Sequence, residues 1–240
     1  MTVSMELLIT GAREIGLNIG EEEQQKFLAY CELIKEWNKV INLVRYHNEE
    51  ELFRAHFLDS LMCSRVYDLK LPTKVIDLGS GAGLPAVPLK ICFPNMDIIM
   101  VESQKKRCKF LQRVVQELEL KNCVIVWDRL ENMAHREEYR ERFDCAVARA
   151  LAPLRVLLEL GLPFLSGSGK LIALKGFAVQ DEIATADCAL KILGGRVASV
   201  LPYSFPGEKG RHVVVVAKNK ETPTEFPRRP GVPARKPLGE

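Results

Sequence analysis

Apolar residues along this chain change their period near residue 70. Before it they recur every three to four positions, the signature of amphipathic helices. This predicts helices over residues 5–17, 21–45 and 49–67. The second carries a stripe of Phe27, Leu28, Cys31, Ile34, Trp37 and Ile41 after an acidic first turn, Glu21-Glu22-Glu23. After the change, short apolar runs alternate with amphipathic stretches. Strands are predicted over 74–78, 96–101, 123–127, 143–148 and 170–174, with helices over 84–93, 104–120, 154–165 and 177–193. Gly167-Ser168-Gly169 reads as a turn into the fifth strand, and Gly194-Gly195 as a helix stop. Residues 196–203 and 211–217 read as a closing antiparallel pair, joined through a glycine- and proline-containing loop at 204–210. Strands alternating with helices predict an α/β fold with helices on both faces of a mixed, seven-stranded sheet. Residues 1–70 then form an N-terminal helical cap, 71–218 the main domain, and 219–240 a basic, proline-rich tail.

The chemistry concentrates in residues 75–90, V-I-D-L-G-S-G-A-G-L-P-A-V-P-L-K. Val75, Ile76 and Leu78 suit a buried parallel strand. Asp77 interrupts the run, where an unpaired carboxylate is costly to bury, and so belongs near something it can bond. Gly79, Gly81 and Gly83 follow at alternate positions with Ser80 between the first two. Glycines permit positive φ and close approach of a ligand to the backbone. Pro85 and Pro88 fit a first helical turn. A dinucleotide fingerprint needs a glycine where Leu84 stands, and Asp77 would repel a diphosphate. S-adenosylmethionine carries a sulfonium and an amine and no phosphate, so an acid beside a glycine turn suits it. The D-x-G-x-G-x-G spacing resembles motif I of the class I S-adenosylmethionine-dependent methyltransferases, whose fold is Rossmann-like.

Glu102 closes the second predicted strand 23 residues past Gly79. That is close to the ~20-residue offset at which an acid meets ribose hydroxyls in this fold type. Asp128-Arg129-Leu130-Glu131 follows the third strand, where a loop would reach the adenine. Arg149 leaves the fourth strand at the end where such sheets bind ligands, and either enters the site or pairs with a nearby carboxylate. The helix at 104–120 sets Lys105, Lys106, Arg107, Lys109 and Arg113 opposite its apolar face, a run that is either solvated or meets RNA phosphates. The tail is either a linker-like end or an RNA-contacting arm.

Composition narrows the class. A 47% hydrophobic fraction over 240 residues supports one sizeable core. No apolar run is long enough for a membrane span, and the N-terminus lacks a signal-peptide pattern, so a cytoplasmic location is expected. Seven cysteines without a C-x-x-C pair, and four histidines without ligand spacing, point to reduced thiols and no metal. The net charge of +3 divides unevenly. Residues 1–60 hold six basic and eleven acidic side chains, a net of −5; the remainder holds 28 and 20, a net of +8. A basic C-terminal part hints at a polyanionic partner.

Absences constrain the methyl transfer. Cys145 lacks the neighbouring signature of a pyrimidine-attacking nucleophile. The segment after the fourth strand, Arg149-Ala150-Leu151-Ala152-Pro153, differs from the N/D-P-P-Y/F used on exocyclic amines. Guanine N7 offers an in-plane lone pair and loses no proton, so positioning alone can carry much of its rate. No catalytic residue is assigned. The rivals are a small-molecule methyltransferase, a non-catalytic RNA- or ribosome-binding protein of this fold, and, least favoured, a dinucleotide oxidoreductase.

The motif I segment, K-K-R-C-K-F-L at 105–111, A-R-A at 148–150 and L-K-G at 174–176 resemble the RsmG (GidB) family. So do W-N-K-V-I-N-L at 37–43, H-F-L-D-S-L at 56–61 and the closing P-R-R-P-G-V-P-A-R-K-P-L. The chain departs from the family at Ala86, where glycine is usual, and at Leu130, where a smaller residue is usual. The resemblance implies a monomeric bacterial enzyme of the cytoplasm acting on 16S ribosomal RNA or the small ribosomal subunit. It would transfer methyl from S-adenosylmethionine to guanine N7 in the 530 loop. It further implies that Gly79 and Leu84 line the methionine end, Glu102 the ribose and Leu130-Glu131 the adenine, with Arg149 on the cofactor or the guanine. Lys175 and Arg211 stand where RNA contacts are expected by position.

Overall fold

A computed structural model describes residues 2–69, 73–205 and 210–239. Most of the predicted loop at 204–210, and the cap boundary at residue 70, lie outside them. Among the described residues one seven-stranded sheet runs β3-β2-β1-β4-β5-β7-β6. Its strands are β1 (Lys74–Leu78), β2 (Asp97–Glu102), β3 (Cys123–Trp127), β4 (Phe143–Arg149), β5 (Leu165–Lys175), β6 (Gly195–Tyr203) and β7 (Arg211–Lys218). β1 pairs in parallel with β2 and β4, and β5 with β4, while β7 is antiparallel to both neighbours. Strand order therefore reverses at β1/β4, and the crevice beyond their carboxyl ends is where such sheets bind ligands.

Alternation along β1 divides its side chains between two cores. Ile76 and Leu78 pack toward α8 (Leu154–Gly161) and α10 (Asp187–Leu193). Val75 packs on the other face, with α5 (Ala86–Cys92), α6 (Lys105–Glu117) and the N-terminal helices. Those helices are α1 (Val3–Glu14), α2 (Glu21–Asn38), α3 (Glu49–Leu52) and α4 (Asp59–Leu61). Phe27, Tyr30, Phe53 and Phe57 are fully buried in that second core, so the cap and the sheet share one hydrophobic interior.

Several predicted boundaries move, each for a local reason. The helix expected over 21–45 stops at Asn38, whose side chain accepts from Leu43 N (2.9 Å) and donates to Val44 O (2.8 Å), turning the chain. The stretch predicted at 49–67 is helical but not uniform: between α3 and α4 lies a π-helical segment, Phe53–Leu58. Gly167-Ser168-Gly169 is not a turn before β5 but an excursion within it, where Phe143 pairs Leu165 and Cys145 already pairs Lys170. The helix at 177–193 is two, α9 (Val179–Ala184) and α10, broken where Thr185 Oγ1 bonds back to Asp181 O and Glu182 O. A short α7 (Leu130–Met133) forms where a loop was expected.

The tail is not a free linker: it docks on the main domain. Arg140 reaches three of its carbonyls, Thr222 O, Pro223 O and Phe226 O, at 2.8–3.1 Å. Arg228 meets the buried Glu159 of α8 through two guanidinium bonds, at 2.6 and 2.9 Å. A one-turn α11 (Val232–Arg235), with Pro233 in its first turn, ends this strap. Among the described residues no helix is long and apolar enough to cross a membrane. All seven cysteines are free thiols.

Candidate active site at the cap–sheet seam

Asp77 lies on the cap side of β1 and is 1% exposed. Neither carboxylate oxygen has a hydrogen-bond partner. Burial, to which the charge of Glu102 adds, pushes its carboxyl up to about 7. A buried acid left unpaired is expensive, and in a native fold it signals a missing partner. The chain then turns through Gly79, Gly81 and Gly83, all at positive φ (69°, 57° and 83°). A Cβ at Gly79 would sit 2.6 Å from Leu151 Cδ1, and one at Gly83 would sit 2.6 Å from Val87 Cγ2. At Gly81 the backbone conformation, not space, demands glycine. Ser80 N donates to Val101 O (2.9 Å) and Gly83 N to Ser80 O (2.7 Å), which ties the turn to β2. Leu84, at the end of the turn, and Ala86, which opens α5, are buried.

Glu102 ends β2 facing the turn. One oxygen accepts from Gly81 N at 2.9 Å and the other from Gln104 N at 2.8 Å. Ser103 Oγ also donates to that second oxygen, at 3.5 Å; a carboxylate has about four acceptor positions, so the first oxygen can still take a hydroxyl. Leu130 and Glu131 start α7. Leu130 is buried, and Glu131 accepts from Gly231 N of the tail at 2.9 Å, so its side chain holds the strap. The expected set Asp77, Gly79, Ser80, Gly81, Gly83 and Glu102 thus comes together around one turn. This arrangement fits S-adenosylmethionine: an orphaned buried acid for a cationic group, backbone open to close approach, and an acid at ribose distance along the fold.

The cap supplies two parts that sequence reasoning missed. Tyr30 of α2 donates to Ala82 O at 2.5 Å, bracing the glycine turn from above. Asp59, 2% exposed, accepts from Arg149 Nη1 at 2.8 Å, Arg211 Nη1 at 2.7 Å and Tyr203 Oη at 2.7 Å. Ala55 O, inside the π-helical segment, accepts from the same two arginines at 2.9 and 3.1 Å. Such widened turns concentrate at functional sites. The only sequence signal was a buried-type Asp in the otherwise apolar run F-L-D-S-L.

His56 completes the group. Its Nε2 lies 3.1 Å from Arg45 O, and its Nδ1 contacts Arg149 Nη2. A carbonyl only accepts and a guanidinium only donates, so the imidazole carries its hydrogen on Nε2 and is neutral. Burial, with the charge of Arg149, lowers its pKa to about 4.

These residues line a cavity of about 490 Å³ beyond the ends of β4 and β5, together with Leu151, Lys175 and Glu182. Lys175 Nζ donates to Ala152 O and Glu182, both at 2.7 Å. Arg149, Lys175 and Arg211, expected at RNA-contacting positions, line this one cavity, and each is held by a carboxylate. Among the described residues that line it, three cations stand against Asp59 and Glu182, one net positive charge. Cys145 is fully buried on β4 and burial raises its thiol pKa, which makes it a structural thiol and not a nucleophile. A larger cavity, about 690 Å³, lies on the outer side of the cap and shares only Tyr203 with this one.

Comparison with known proteins agrees with this geometry. The family model described as rRNA small subunit methyltransferase G matches residues 23–214. A protein of Acetivibrio thermocellus named ribosomal RNA small subunit methyltransferase G is 41% identical over 234 residues, covering 97% of this chain and 96% of its own. Its namesake from Pelotomaculum thermopropionicum is 41% identical over 240 residues, covering 99% and 100%. Aeropyrum pernix fibrillarin, solved with natively bound S-adenosyl-L-methionine, superimposes with a TM-score of 0.51 at 15% identity, covering 66% of this chain and 72% of its own, and shares the fold. Motif, turn geometry and end-to-end similarity converge, and the chain belongs to the rRNA small subunit methyltransferase G family.

Proposed function

We propose that this protein methylates small-subunit ribosomal RNA at guanine N7 in the 530 loop of 16S RNA, using S-adenosylmethionine. The observation that carries the reading is Asp77: a fully buried carboxylate with no partner, beneath a glycine turn that is open to a ligand. When bound, S-adenosylmethionine supplies a methyl group activated by its sulfonium.

The chain's own residues then bind and orient. Asp77 and Gly79 hold the methionine end with Ser80, Gly81, Gly83 and Leu84, and Glu102 takes a ribose hydroxyl. Leu130-Glu131, fixed by the tail, borders the adenine. Arg149 and Arg211 face the seam cavity, whose net positive charge favours the phosphates of an incoming nucleotide. Among the described residues none in that cavity is poised as a general base: both nitrogens of His56 are engaged, and Glu182 accepts from Lys175 and Leu154 N. Attack by guanine N7 needs none, because the ring loses no proton. The protein's contribution is then placement of N7 in line with the methyl group.

The test uses purified protein, S-adenosylmethionine and small-subunit RNA lacking the modification, followed by nucleoside digestion and mass spectrometry. A 7-methylguanosine signal mapping to the 530 loop is the expected result. Methyl transfer to another RNA position would overturn the N7 assignment. Cofactor binding with no transfer to naked RNA or to whole subunits would overturn the substrate.

A further inference from the structure

One surface beside this site is built against the protein's own electrostatic interest. α6 begins Lys105-Lys106-Arg107 and has no acidic residue in its first turn. Cations there oppose the helix dipole, which favours acids at that end. Arg107 is anchored by Asn42 O and lies 4.0 Å from Glu102, and Arg113 pairs with Glu117 at 2.8 Å. Lys105, Lys106 and Lys109 are exposed, and among the described residues no carboxylate pairs with them. The same patch holds Trp127, at the end of edge strand β3, which is 57% exposed although Lys105 Nζ lies 5.0 Å from its ring centroid. Its Nε1 donates to Ser103 O at 3.0 Å, which fixes the ring next to Glu102.

Resting on the RNA-methyltransferase reading, we infer that the exposed face of α6 with Trp127 is a second RNA-docking surface. It takes the single-stranded loop that flanks the target guanine. Lys106 and Lys109 meet its phosphates, and one unpaired base stacks on Trp127. A fixed aromatic ring among unpaired cations is the arrangement that binds unstacked RNA without reading its sequence. The patch borders Glu102 at the β3 edge, across the ends of β2 and β1 from the β4–β5 cavity, so RNA held there must span those strand ends to present the guanine in the cavity.

The experiment compares the wild type with the double variant K106E/K109E, and with W127A and W127F. Small-subunit RNA is the substrate, and S-adenosylmethionine affinity is measured by calorimetry. The expected result for K106E/K109E is a KM for RNA raised roughly tenfold and a salt dependence of RNA binding whose log–log slope is shallower by about 1.4, from two single-strand phosphate contacts at ~0.7 each. kcat and cofactor affinity should stay unchanged. W127A should raise KM in the same way, and W127F should restore most of it. An unchanged KM in both K106E/K109E and W127A overturns the surface. Weakened cofactor binding in W127A would place the ring in the cofactor pocket instead, which also overturns it. Loss on assembled subunits but not on naked RNA would mean that a ribosomal protein docks there, again against the proposal. A wild type that binds this RNA but transfers no methyl group would fail the enzymatic reading alone, because RNA affinities of the variants still test the surface.

Discussion

Arg149 Nη1, at the end of β4, donates to Asp59 Oδ2 of the cap across 2.8 Å, joining two segments 90 residues apart. The same carboxylate holds Arg211 and Tyr203, from the far side of the sheet. Asp59→Asn would remove the carboxylate that Arg149 and Arg211 share at the seam. Breaking a buried pair is costly, and partial exposure of the arginines reduces the effect to about 2–3 kcal/mol. Urea unfolding should show that loss, and methylation should fall because the cavity's two arginines lose their shared anchor. A D59N protein of unchanged stability and activity would refute the anchoring role.

Tyr30→Phe removes the hydroxyl that braces the glycine turn and leaves Ala82 O buried without its donor. The expected loss is about 1–2 kcal/mol of stability. S-adenosylmethionine affinity should drop several-fold, measured by calorimetry. The same affinity with lower stability would show that the cap packs on the turn without shaping it.

Asp77 gives the ligand-free protein a defined pH response. Its folded pKa, about 7, lies above the ordinary value of 3.8, so the folded state holds this proton more tightly than the unfolded chain. Stability from this group is therefore full at low pH and is lost as pH rises from about 4 to about 7, by up to ~4 kcal/mol. Asp77→Asn should flatten that slope and exceed the wild type in stability at pH 8. A cationic ligand favours the ionised carboxylate, so wild-type affinity for S-adenosylmethionine should strengthen as pH rises toward 7 and then level. In the Asn variant it should be weak and flat. Calorimetry across pH 5–8.5 reads both.

The tail is fastened to a fully buried acid. Arg228→Ala would strand Glu159, 0% exposed, with no counter-charge, and should destabilise by about 3 kcal/mol. Arg228→Lys should recover only part, because a lysine cannot reproduce the two-pronged contact. Thermal unfolding measures both. Because Gly231 N also holds Glu131 of α7, the Ala variant should weaken cofactor binding more than its stability loss alone explains.

Local sequence carried the sheet and its turn. Apolar runs of strand length, three glycines spaced by two and an acid 23 residues beyond the first constrain only their immediate neighbours, and the structure places them as expected. β1 and β3 end where periodicity predicted, because a short apolar run and, after β1, glycine's access to positive φ are local properties. Helix ends were less legible. Asn38 and Thr185 stop or break helices through side-chain bonds to backbone that compete with an otherwise helical pattern.

Tertiary structure alone decided what the charges do. Arg149, Lys175 and Arg211 read as basic residues at strand ends, but their partners come from elements 7 to 152 residues away: Glu182 for Lys175, and Asp59 for both arginines. No periodicity encodes such pairings. They follow from which chain segments the packed core brings together, and burial then makes each pairing obligatory. The tail shows the same limit. Its prolines forbid a long helix or a central strand, as the sequence says. Its docking depends on Glu159, a charge buried in α8 by the fold and stable there only because Arg228 returns to meet it.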